Sequence, residues 1–270
     1  MITDWIDTGA HCLRYCYRKG VGPCIVLLHE MGGSVESWDL VLPHLPESCT
    51  VVIPEMRGMG MSEEVRAPFN FRDLASDVEQ LIAFLGIDGP VVSAGVAVGG
   101  AVALRLALDR PERYRTTIAL GPAAGTPEEK RKPVRQIADS LEADGMRAAE
   151  AILLDRTYPS RYRERNPEHF AKVRGRWLAN KPASFAAYFR ALADTEMRSE
   201  LPHLQGRIIF ASGTDDVFRP PAYVADLAAI TPGAEYAELD AGHHLADHAS
   251  VDVANLIAQC LPTAEQAEKA

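Results

Sequence analysis

Apolar positions recur along this chain in two alternating rhythms. Cys24-Ile25-Val26-Leu27-Leu28 and Thr50-Val51-Val52-Ile53-Pro54 are continuous apolar runs, the pattern of strands buried on both faces. His11 to Arg18 alternates like a half-exposed strand. Ser37 to Leu45 reads as a short helix. Phe71 to Leu85 carries Leu74, Val78, Leu81, Ile82 and Leu85 at helical spacing, with Asn70 as N-cap and Gly86 as stop. Pro90 to Ala94 is another apolar strand, followed by an apolar helix from Ala101 to Leu108, and Thr116 to Leu120 is the next strand. From Thr126 to Glu200 the rhythm stops; this Arg-, Glu- and Ala-rich stretch reads as helix throughout. Strand and helix then alternate again: Arg207 to Ala211, Ala222 to Ile230, Glu235 to Leu239 and Ser250 to Leu261. A polar tail, Pro262 to Ala270, is expected to fray.

Repeated strand–helix units predict an α/β fold, a mostly parallel doubly wound sheet flanked by helices. The interruption divides the chain into a core, residues 1–125 and 201–270, and a helical cap insertion, residues 126–200. Ligands of such sheets bind beyond the carboxyl ends of the strands.

A chain of 270 residues with 47% hydrophobic and 24% charged residues is ordinary for a globular protein. Its net charge of −9 argues against nucleic acid or an anionic membrane as partner. No basic-then-apolar leader and no membrane-length apolar run is visible. Five cysteines, an odd number without close metal-ligand spacing, read as reduced thiols, so a cytoplasmic location is expected. No metal and no organic cofactor is indicated. The expected partner is a small-molecule substrate, and a homo-oligomer is compatible with the sequence.

The candidate chemistry lies at the strand ends. Gly95-Val96-Ala97-Val98-Gly99-Gly100 joins an apolar strand to an apolar helix. This is the layout of a nucleophile elbow, G-x-S-x-G, with Ala97 in place of the nucleophile. Other strand ends carry His29-Glu30-Met31-Gly32-Gly33-Ser34, Arg57-Gly58-Met59-Gly60-Met61-Ser62, Gly213-Thr214-Asp215-Asp216 and Ala241-Gly242-His243-His244. As a set these resemble the α/β-hydrolase family over nearly the whole chain, and are most similar to the 3-oxoadipate enol-lactonase-like hydrolases. The resemblance implies an acid at Asp216, with Asp215 the competitor, and a base at His243, with His244 the competitor. It implies oxyanion-binding amides at Met31 and Val98, and a structural role for His29 in fixing the loop. Ser34 and Ser62 read as turn residues, and Ser93 lies inside a strand.

The chain departs from the family pattern twice. Ala97 has no nucleophilic atom. Glu30 stands where the family's H-G pair has glycine. An ionised carboxylate about 4 Å from a developing oxyanion costs roughly 4 kcal/mol at an effective dielectric of about 20. Glu30 is therefore expected to face the pocket with a raised pKa, beside few cations. Its other reading is a side chain turned to solvent, bonding a loop amide. Trp177, Tyr188 and Phe189 are expected to roof the pocket, with core packing as their equal alternative, and Arg57 or an arginine of the insertion to hold a substrate carboxylate.

Three functions remain open at this level. One is an enzyme acting on a small carboxylic ester, lactone or enol-type substrate, with His243 and Asp216 as general base and Glu30 as matching acid. Another is an ordinary Ser-His-Asp ester, lactone or C–C hydrolase inactivated by a Ser-to-Ala change at position 97. The third is a binding or sensor protein that kept the pocket.

Overall fold

A computed structural model describes residues 1–262. The strands are β1 (Ile2–Asp7), β2 (Cys12–Arg18), β3 (Cys24–Leu28), β4 (Thr50–Pro54), β5 (Val91–Val96), β6 (Thr116–Leu120), β7 (Arg207–Gly213) and β8 (Glu235–Leu239). They form one sheet in the order β1-β2-β4-β3-β5-β6-β7-β8. β1 pairs antiparallel with β2, and β2 antiparallel with β4. From β4 to β8 every pairing is parallel, as expected.

The apolar runs are continuous because side chains alternate between two buried faces. Val26, Leu28, Val52, Ala119 and Phe210 join one core, which includes residues of helices α1 (Phe71–Phe84) and α2 (Val98–Asp109). Ile25, Leu27, Val51, Ile53, Ile118 and Ile209 join the other, under α9 (Leu245–His248) and α10 (Ser250–Gln259). α8 (Pro221–Ala229) joins β7 to β8. α1 starts where its cap predicts: Asn70 accepts from the amides of Arg72 and Asp73, and the Asp73 carboxylate returns a bond to the Asn70 amide.

Between β6 and β7 run α3 (Glu128–Ala149), α4 (Leu154–Thr157), α5 (Ser160–Arg165), α6 (Pro167–Ala179) and α7 (Pro182–Asp194). α3 packs chiefly on α7. The insertion is not helical to its ends: an isolated bridge between Gly125 and Glu196 ties its two stems together.

One local expectation fails, and one strand has no counterpart in the sequence pattern. The stretch Ser37 to Leu45 holds two 3-10 turns, Val35–Trp38 and Leu42–His44, rather than one helix, and Pro43, the second residue of the later turn, has no amide to donate. β1 has no apolar signal because it is an edge strand with only Ile6 buried. The tail beyond Pro262 lies outside the described residues.

Candidate active site

The elbow forms as its glycines require. A Cβ on Gly95 would lie 2.2 Å from the Gly99 carbonyl oxygen, and one on Gly99 would lie 2.3 Å from the Leu28 carbonyl oxygen. Strand and helix meet too closely for any side chain at either position. Ala97 between them has φ 52° and ψ −109°, the one non-glycine with positive φ among the described residues. Such backbone costs about 1–3 kcal/mol. It is pinned from both sides: the Ala97 amide donates to Leu120 O at 2.8 Å, and its carbonyl accepts from Ala123 N at 2.9 Å. Val98 opens α2, and the first amides of a helix have no intrahelical partner.

The elbow borders a cavity of about 450 Å³. Its lining includes Glu30, Met31, Ala97, Val98, His243 and His244 from the loops at the strand ends, and Thr157, Trp177, Phe185 and Phe189 from the insertion.

Asp216 and His243 meet at this wall. His243 Nδ1 lies 2.7 Å from Asp216 Oδ2, while Asp216 Oδ1 accepts from the amides of Phe218 at 2.8 Å and Arg219 at 2.9 Å. Burial would raise the Asp216 carboxyl, but the neighbouring imidazole and these amides outweigh it and hold the pKa down to about 2. An ionised carboxylate only accepts, so Nδ1 carries the hydrogen and Nε2 presents a lone pair. Nε2 has no protein hydrogen-bond partner among the described residues. Asp215 points elsewhere, to Arg161 at 2.6 Å.

The His243 loop is braced from below. His248 Nδ1 accepts from the Gly242 amide at 3.0 Å, and its ring stacks on Tyr162 with centroids 3.9 Å apart. Burial pushes the His248 pKa down to about 2, which keeps it a neutral acceptor. His29 braces the other loop, with Nδ1 2.7 Å from the Glu30 carbonyl and Nε2 accepting from Met56 N at 3.0 Å.

Glu30 faces the cavity as expected, and it is its titration that requires a correction. It lines the cavity and is only 6% exposed. Its pKa is lowered, to about 2, and not raised. Burial acts upward as expected, but the hydrogen bond and charge of His244, with a contribution from His29, outweigh it. His244 Nδ1 lies 3.5 Å from Glu30 Oε1, which also accepts from Ser37 Oγ at 2.9 Å. Glu30 therefore cannot serve as the acid it was expected to be. Nor does the carboxylate stand alone, since the His244 ring and the Ser37 hydroxyl are its partners.

Arg57 also requires correction. It does not line the cavity. Its guanidinium clamps Asp77 of α1, Nε to Oδ2 at 2.6 Å and Nη2 to Oδ1 at 2.7 Å. The fork geometry and burial of both partners make this a structural pair. Tyr188 is structural too: its hydroxyl donates to the Arg57 carbonyl at 2.9 Å. Trp177 and Phe189 do line the cavity, and Trp177 meets Phe185 edge-on at 5.4 Å.

Arg156, an arginine of the insertion, does line the cavity, while Lys130, Thr157 and Phe185 of the same helical stretch had no signal in the sequence. Phe218 and Arg219, two and three residues after Asp216, line the cavity and had no signal of their own. Among the described residues, no group of His, Cys, Asp and Glu is arranged to hold a metal ion.

Comparison with known proteins bears on the fold and the family. The alpha/beta hydrolase fold family matches residues 23–248. An enol-lactonase from Burkholderia xenovorans LB400 superposes with a TM-score of 0.88 at 26% identity, covering 95% of this chain and 98% of that one. The 3-oxoadipate enol-lactonase 2 of Acinetobacter baylyi is 23% identical over 204 residues, 76% of this chain and 74% of that protein. A soluble epoxide hydrolase of Corynebacterium sp. is 41% identical over 90 residues, 33% of this chain, and the match spans 31% of that protein's length.

Proposed function

Because the chain belongs to the alpha/beta hydrolase fold family, we propose that it hydrolyses a small carboxylic ester, lactone or enol-type substrate with water activated by His243. No side-chain nucleophile acts at position 97 in this reading. The observation that carries it is the Asp216–His243 contact of 2.7 Å on the wall of a cavity that also holds Ala97, Met31 and Val98. An oriented imidazole with its Nε2 lone pair free is a general base, and a mere binding pocket has no use for one. The missing serine hydroxyl leaves room beside that base, where a water has polar partners.

The attack follows from this arrangement. His243 Nε2 takes a proton from water as the water oxygen bonds the acyl carbon. Asp216 stabilises the imidazolium, and the Met31 and Val98 amides receive the charge on the carbonyl oxygen. The similarity to two enol-lactonases supports a lactone or enol ester as substrate. The apolar insertion residues Trp177, Phe185 and Phe189 limit its size.

Hydrolysis by one displacement gives no burst and no partitioning of a shared intermediate to added alcohol or amine. The test is pre-steady-state kinetics with intact-protein mass spectrometry during turnover. A protein carrying the acyl group would overturn the reading.

The strained backbone at Ala97 favours a second reading. Holding φ at 52° without a nucleophile to present has no catalytic return, as if a serine belonged there. Ala97→Ser followed by a fluorophosphonate probe tests this second reading. Labelling means a complete triad lacking one oxygen; an unlabelled, folded variant means an oxyanion region rebuilt for other chemistry.

A further inference from the structure

The water-activation reading leaves the second buried acid–imidazole pair unused. Glu30 and His244 are 6% and 5% exposed, and both face the cavity that holds Ala97 and His243. Glu30 Oε1 lies 3.5 Å from His244 Nδ1. On its other side the ring donates from Nε2 to Thr157 Oγ1 at 3.1 Å, and the threonine hydroxyl donates to the Leu154 carbonyl at 3.1 Å. Thr157 lines the same cavity. The His244 ring centroid is 6.3 Å from that of His243.

Direct displacement by water makes two proton demands. The attacking water must lose a proton, and the departing oxygen must gain one. In a serine hydrolase one imidazole meets both in turn, across the tetrahedral intermediate. Here a second imidazole with its own carboxylate lines the same cavity, so the second demand has a separate group to meet it.

We infer that Glu30, His244 and Thr157 form a proton-donating chain for the leaving-group oxygen, paired with Asp216 and His243 as the accepting one. The inference rests on the water-activation reading. As the bond from acyl carbon to leaving oxygen breaks, the Thr157 hydroxyl turns its hydrogen from Leu154 O to that oxygen. It receives the His244 Nε2 proton in exchange. Ester and water become acid and alcohol, leaving His243 protonated and His244 neutral. Solvent takes the proton from one and restores it to the other, and no redox partner is needed.

The surroundings favour a protonated His244. Glu30, Asp247 and Asp216 face it with carboxylates, while Tyr158, His243 and His248 contribute neighbouring rings. Burial works against the charged ring, but the bond to Glu30 and its charge prevail, and the His244 pKa is raised.

Such a chain matters most where the leaving oxygen is a poor one. It therefore points to alkyl esters or lactones, and not to activated aryl esters, as the substrate class. The test compares wild type, Glu30→Gln, His244→Gln and Thr157→Val on an alkyl acetate, γ-butyrolactone and 4-nitrophenyl acetate. His244→Gln and Thr157→Val should lose about 10²-fold in kcat on the first two substrates and about twofold or less on the nitrophenyl ester. Glu30→Gln should make alkyl-ester turnover fall off at lower pH than in wild type, because His244 loses its proton sooner. Equal losses on all three substrates would overturn the inference while leaving His243 as base. A wild type inactive on all of them removes the water-activation reading, and this chain with it. The His244 ring protons, followed by NMR, should report an imidazolium at neutral pH that Glu30→Gln abolishes; a neutral ring in wild type overturns the inference in either case.

Discussion

Two carboxylate–imidazole pairs share one cavity, and they are built differently. Asp216 is held by two backbone amides and meets His243 at 2.7 Å, leaving the far nitrogen of the ring unengaged. Glu30 is held by a serine hydroxyl and meets His244 at 3.5 Å, and both nitrogens of that ring are occupied. The first arrangement suits accepting a proton, and the second suits storing one. What separates them is where the remaining ring nitrogen points: into the cavity for His243, onto Thr157 for His244. The residue types of the two pairs do not distinguish them.

The largest expected effect separates the pairs by activity. His243→Ala should lower kcat on 4-nitrophenyl acetate by on the order of 10²–10⁴-fold. Asp216→Asn should leave weak residual turnover, since the base is present but badly oriented. Steady-state kinetics decides; a His243→Ala protein with undiminished kcat would make the two pairs equivalent and end the comparison.

A third buried ion pair, Arg57 with Asp77, serves as a control away from the cavity. Arg57→Met leaves the Asp77 carboxylate buried without its partner, at a cost of about 3–5 kcal/mol. Urea unfolding should register the loss, while KM for a carboxylate-bearing ester stays unchanged. A raised KM at unaltered stability would return Arg57 to the substrate.

A smaller effect, read by titration, compares the two carboxylates directly. Both have folded pKa values near 2, below the ordinary 4.5 of Glu30 and 3.8 of Asp216. Their contribution to stability is complete above the ordinary values and is lost as the pH falls toward about 2. His244 runs in the other direction: its raised pKa contributes stability in full below 6.5, and this is lost as the pH rises through its folded value. Unfolding free energy measured along a pH series should fall on the acid side, and Glu30→Gln should flatten part of that arm. An unchanged arm in that variant would mean Glu30 is not held by His244.

Much of the fold was legible in one dimension. The apolar runs at Cys24–Leu28 and Thr50–Pro54 declared strands buried on both faces, and the Asn70 cap placed the start of α1. The loss of rhythm after Thr126 marked the insertion. β1 was illegible because its residues are exposed at the sheet edge and carry no periodic signal.

The site divides in the same way. The sequence by itself determined the elbow, because Gly95 answers a local steric demand from the Gly99 carbonyl, and it brought His29, Asp216 and His243 to strand ends by alternation alone. Only the tertiary structure decided which charges became partners. Arg57 could have met a substrate carboxylate, but the packing of α1 set Asp77 within 2.6 Å of it. Glu30 was read as a lone acid because nothing within its own segment opposes it. The sheet order and the turn after β8 bring His244 beside it, across more than two hundred residues of chain. Backbone patterns are set by sterics and periodicity over a few neighbours, so they can be read along the chain. A buried charge takes its state from whatever the fold sets within a few ångströms, and that distance is not written in the order of residues.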